Sequence, residues 1–76
     1  MITVKLFGLL RLESGMKEKQ VPATTVKEVL DILVQHGIPR KDLDSCVILV
    51  NGKNAKKRSK LNDGDTVVLM SPVAGG

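Results

Sequence analysis

Tryptophan and tyrosine are absent from the 76 residues, and phenylalanine occurs once, as Phe7. Successive single-stranded bases therefore have no aromatic platform to stack on. Cysteine also occurs once, as Cys46, so no internal disulfide can staple the chain. A reducing compartment, the cytoplasm by default, is the expected location. There is no signal-peptide pattern, and no apolar run approaches the roughly 20 residues that cross a bilayer. His36 is the single histidine, and no metal-ligand spacing accompanies it. With so few nucleophiles and bases, the chain is not expected to be an enzyme.

The abundant class is branched aliphatic. Valine, isoleucine and leucine make up 24 of 76 residues, which argues for a packed interior and against disorder. A chain this short builds one core, so a second domain is excluded. Such a core rarely contributes more than about 3–5 kcal/mol of net stability, so idealised packing or a partner must supply the rest. The formal charge of +4 permits nucleic acid or an acidic protein as partner without choosing between them.

Ile2, Val4 and Leu6 alternate with Thr3 and Lys5 up to Gly8, which predicts a half-buried strand. The apolar run continues to Leu12, a turn follows at Glu13-Ser14-Gly15, and residues 16–21 read as a charged, edge-like second strand ending at Pro22. Thr25-Val26-Lys27-Glu28 fits a capping box. Val26, Val29, Leu30 and Leu33 then form one apolar stripe, predicting a helix over residues 26–36 stopped by Gly37 and Pro39. After a polar link, residues 46–50 read as a third strand closed by Asn51-Gly52, a dipeptide suited to a tight hairpin. Residues 53–60 hold five cations and no acid, with room for one more short strand. Leu61-Asn62-Asp63-Gly64-Asp65 turns the chain into a last strand over residues 66–70, stopped by Pro72.

One helical stripe can cover one face of a mixed sheet. Residues 47–50 and 67–70 are apolar at every position, so each strand must also turn apolar side chains toward the uncovered face. Phe7 is out of phase with Ile2, Val4 and Leu6 and joins them there. An exposed apolar patch of this kind marks an interaction surface. The docking candidates are Phe7, with Leu69 or Met70 according to the parity the sequence leaves open, together with Pro72 and Val73 beyond the last strand.

His36 is expected to complement the negative end of the helix, and Cys46 to act as a small core residue. Lys56, Lys57 and Arg58 form a basic contact or a solvated loop. The sequence ends in Gly75-Gly76. Two residues without Cβ can enter a channel too narrow for side chains, and residues 73–76 reach at most roughly 13–14 Å beyond Pro72.

The segments Val4-Lys5-Leu6-Phe7-Gly8-Leu9-Leu10-Arg11, Thr25-Val26-Lys27-Glu28-Val29-Leu30, Val50-Asn51-Gly52-Lys53, Leu61-Asn62-Asp63-Gly64-Asp65 and Ser71-Pro72-Val73-Ala74-Gly75-Gly76 together resemble the ubiquitin-like sulfur carriers of the MoaD and ThiS type. The proline in the tail resembles the MoaD pattern more than that of ThiS. The resemblance implies an α+β, β-grasp fold with the first and last strands parallel in mid-sheet, spanning residues 1–72, and a flexible tail over residues 73–76. It also implies that a MoeB/ThiF-like enzyme adenylates the Gly76 carboxylate with ATP. Conversion to a thiocarboxylate would follow, with sulfur donated to a pterin precursor in a MoaE-like catalytic subunit that builds the molybdenum or tungsten cofactor. The carrier would bind no cofactor itself, Gly75 and Gly76 would enter the partner's site, and neither membrane nor nucleic acid is needed. The alternatives are a ThiS-like sulfur carrier for thiamine or another pathway, a ubiquitin-like protein modifier, and an RNA-binding module of the TGS type that uses the basic segment.

Overall fold

The computed structural model describes residues 1–71; Pro72, Val73, Ala74, Gly75 and Gly76 lie outside the described residues. The alternating first segment forms β1 (Ile2–Phe7), with Ile2, Val4 and Leu6 buried. The apolar continuation does not extend the strand. It coils into α1 (Leu9–Ser14), which buries Leu10 and stops at a left-handed Gly15. The edge strand β2 (Glu18–Val21) pairs antiparallel with β1, Ile2 opposite Val21 and Lys5 opposite Glu18. The two strands read from the sequence thus pair, but a six-residue helix joins them where the sequence suggested only a turn at Glu13-Ser14-Gly15.

The main helix, α2 (Val26–Gln35), starts at the capping box read from the sequence. The Thr25 hydroxyl accepts the Glu28 amide at 3.2 Å, and the Glu28 carboxylate accepts the Thr24 and Thr25 amides at 2.6 and 3.1 Å. Val26, Val29, Leu30 and Leu33 are all buried, so the 3.6-residue periodicity turns one stripe onto the sheet. The helix ends at Gln35, one residue inside the predicted end, and His36 is its C-cap.

The polar link contains a second short helix, α3 (Arg40–Asp44), anchored by buried Leu43. The Arg40 guanidinium donates to Asp31 on α2 at 2.7 Å, and this hydrogen bond holds the Asp31 carboxyl below its ordinary value. The strand β3 (Val47–Val50) and the two-residue β4 (Lys53–Asn54) form a hairpin around Asn51 and Gly52, with φ of 51° and 85°. Two consecutive positive φ angles are what a two-residue hairpin loop demands. The rest of the basic segment is irregular.

The last strand, β5 (Thr66–Met70), runs parallel to β1 and antiparallel to β3. The sheet order is β2-β1-β5-β3-β4, which is the β-grasp arrangement with the first and last strands adjacent at its centre. Two turns from distant parts of the chain lock together at the start of β5. The Asp65 carboxylate accepts the Asn62 amide at 2.8 Å and the Asn51 side-chain NH2 at 2.9 Å, while the Asn51 side-chain oxygen Oδ1 accepts the Thr66 amide at 3.0 Å. These bonds, the Asn62 amide foremost, hold Asp65 below the usual carboxylate range.

Candidate functional site

Side chains of laterally paired residues lie on the same side of a sheet. The register therefore resolves the parity that the fully apolar strands leave open. On β5, Val67 and Leu69 are buried toward α2, whereas Val68 and Met70 are half-buried on the outer face. On β3, Ile48 and Val50 pack against the core, leaving Val47 and Leu49 outward. Leu69 therefore drops out as a docking residue: it is 0% exposed, closed off by the core beneath the helix.

The outer face is graded. One row runs Phe7, Met70, Val47; the next Glu18, Lys5, Val68, Leu49, Asn54; the next begins Gln20, Thr3, Thr66. Polarity falls along the direction of β5, and Phe7 and Val47 remain 42% and 43% exposed at the apolar end. Large apolar side chains left that open have no partner within the described residues. Since Met70 ends β5 in this same row, the chain leaves the sheet at the edge of the apolar patch. Of the expected site residues, Phe7 and Met70 are thus brought together, while Pro72, Val73, Gly75 and Gly76 fall outside the described residues. Val47, not singled out from the sequence, completes the row; its signal was the parity of residues 47–50, which needs the register to be read.

Lys56, Lys57 and Arg58 sit elsewhere. Lys53 pairs with Val50, an inward position, so the basic segment begins on the helix side of the sheet. It then passes under the first turn of α2, where the Lys57 and Ser59 carbonyls accept the Lys27 and Val26 amides at 2.8 and 3.0 Å. Those bonds, with the Thr25 cap, occupy the amide donors of the helix start. The three cations are exposed, and the Lys57 ammonium donates to Asp44 at 2.5 Å. Apolar patch and basic loop are therefore separate surfaces.

Cys46 is half-buried, its thiol donates to the Leu43 carbonyl at 2.9 Å, and burial pushes its pKa up. A thiol held in its protonated form is a weak nucleophile. His36 is exposed at the end of α2.

A model of the ThiS family matches residues 4–76. The chain belongs to the ThiS family. Members are small carrier or accessory subunits of ubiquitin-like fold, and solved structures agree with the architecture of this ThiS-family chain. SAMP1 from Haloferax volcanii is 28% identical with a TM-score of 0.83, over 99% of this chain and 98% of that one. A chain of the Helicobacter pylori complex of molybdopterin-converting factor subunits 1 and 2 is 28% identical, with a TM-score of 0.74, over 99% of this chain and 97% of that one. A chain of the BexX/CysO complex of Amycolatopsis orientalis is 25% identical, with a TM-score of 0.77, over 100% of both. No curated protein matches the chain. Among the described residues, no helix is long and apolar enough to cross a membrane.

Proposed function

We propose that this chain carries sulfur on the Gly76 carboxylate for molybdopterin synthesis. The observation that carries the reading is the coincidence of a ThiS-family match extending through Gly76 with an apolar row at the point where the sheet releases the tail. A free carboxylate, ionised at neutral pH with a pKa of about 3.3–3.7, resists nucleophilic attack. A MoeB/ThiF-like partner overcomes this when a Gly76 oxygen attacks the α-phosphorus of ATP, forming the acyl adenylate and releasing pyrophosphate. Sulfide then attacks the acyl carbon and AMP departs, leaving the thiocarboxylate; a persulfide donor would need a further thiol to reduce the S–S bond. The carrier supplies no catalytic side chain. Its body docks through Phe7, Met70 and Val47 while the side-chain-free Gly75-Gly76 enters the partner's site.

The molybdopterin destination is supported by the Helicobacter pylori neighbour, a chain of a complex of molybdopterin-converting factor subunits 1 and 2; a MoaE-like subunit is the corresponding partner here. A second reading, conjugation of Gly76 to protein lysines, is supported by a Haloferax neighbour described as a small archaeal modifier protein, 27% identical over 95% of this chain. Both readings share the adenylation step. The basic loop and the lack of aromatics give RNA binding less support, because phosphate contacts alone confer affinity without base recognition.

The test is the intact mass of the protein purified rapidly from its native host. Exchange of one oxygen for sulfur, localised to the last peptide, is the expected result. An unmodified mass that stays unchanged with ATP, sulfide and host extract overturns the proposal, and adducts joined through Gly76 to other proteins select the conjugation reading.

A further inference from the structure

The helix α1 lacks a cap of its own. Its N-cap position is Gly8, which has no side chain to bond the free amides of the first turn. The acceptor comes instead from the far end of the chain: the Ser71 hydroxyl oxygen accepts the Leu9 amide at 2.6 Å, across 62 residues. Space for it exists only because residue 8 is glycine, since a Cβ there would stand 2.7 Å from Ser71 Oγ. Gly8 also has φ +68° and ψ −140°, a region essentially closed to other residues. Met70, the last strand residue before Ser71, is at the same time paired with Phe7, the last residue of β1. The point where the chain leaves the sheet is therefore fixed twice, by a strand pair and by a cap.

We propose that Ser71 is a positioning residue that sets the direction in which the tail leaves the sheet, a role that rests on the carrier reading for its use. The hydroxyl fixes Ser71 against α1. The following proline biases Ser71 itself to extended backbone. An orientation fixed at Ser71 is therefore the one with which the tail sets out. A tail whose departure is fixed at Ser71 loses less conformational entropy when a partner takes it up. The cap also ties α1, which carries exposed Leu9 and Leu12, to the tail's exit, so anything that moves one reports on the other.

The test uses the full chain, labelled with 15N, as wild type, Ser71→Ala, Ser71→Thr and Gly8→Ala. Removing the acceptor is expected to speed exchange of the Leu9 amide by about five- to tenfold, the effect of losing one ordinary hydrogen bond, and to lower the 15N order parameter of Val73. The Ser71→Thr variant, which keeps the hydroxyl, restores both. Gly8→Ala, which drives Cβ into the hydroxyl, resembles Ser71→Ala at Val73 if it folds; Ser71→Ala alone decides the matter if it does not. With a ThiF-class activating enzyme and ATP, Ser71→Ala raises KM for the carrier at nearly constant kcat, and Ser71→Thr reverses the change. An unaltered Val73 order parameter in Ser71→Ala, or a loss that threonine fails to restore, overturns the proposal. If Val73 responds as expected but no activating enzyme adenylates wild type, the carrier reading has failed and the positioning role stands.

Discussion

The two faces of the sheet follow the same alternation of side chains and reach opposite ends. On the inner face, Ile2, Val4, Leu6, Val67 and Leu69 meet the α2 stripe and are closed off from water. On the outer face, polar residues at the start of β5 give way to Phe7, Met70 and Val47 at its end, with nothing among the described residues laid over them. Residues of one chemical class thus serve stability on one side and association on the other. An apolar residue is core only where another element covers it.

The comparison breaks most visibly at Leu69. Leu69→Ala opens a cavity under α2 and is expected to cost about 2–5 kcal/mol of stability, measured by urea denaturation. A variant that kept its stability yet lost partner binding would reverse the assignment of faces. The neighbouring outward residues sharpen the contrast: Phe7→Ser with Val47→Ser should change stability by no more than about 0.5 kcal/mol each. The same pair should weaken association with an activating or acceptor subunit at least roughly tenfold, as loss of an apolar anchor does, read by calorimetric titration.

A smaller effect belongs to the covering element. Thr25→Ala removes the acceptor for the Glu28 amide and should cost about 1 kcal/mol, seen as a shift in denaturant midpoint, with partner affinity unchanged. A change in affinity instead would mean that α2 takes part in docking.

The smallest effect is the dependence on pH. Hydrogen bonds hold Glu28, foremost from Thr24, below its ordinary 4.5, and Asp31 and Asp65 below 3.8. Depressed folded values mean that the unfolded chain binds more protons, so this stabilisation is complete above those ordinary values and disappears as pH falls through the folded ones. Glu13 acts in the opposite sense, because its hydrogen bond with Asp42 raises it above 4.5. Denaturant midpoints should therefore fall on acidification below about pH 4, with Glu28→Gln flattening the fall and Glu13→Gln steepening it. A midpoint that rose on acidification would show Glu13 outweighing the three depressed groups.

Much of the fold was legible because its signals are local. The capping box and the i, i+3, i+4, i+7 stripe define α2 within ten residues, and Asn51-Gly52 defines its hairpin from two. By contrast α1 and α3, six and five residues long, are too short to be stable by themselves. Each forms because tertiary packing buries one leucine, Leu10 or Leu43. The apolar outer face could be inferred from the composition of the two strands, but Leu69 and Val47 could be assigned only once a register existed.

The sequence by itself determined one small core, one main helix, the Asn51-Gly52 hairpin turn and an apolar surplus too large for a single face, since each depends on residues near one another along the chain. Only the tertiary structure decided which apolar residues face water, where the basic loop lies, and that Ser71 caps a helix beginning at Leu9. Those facts depend on strand register and on contacts across as many as 62 positions, and no local pattern encodes them.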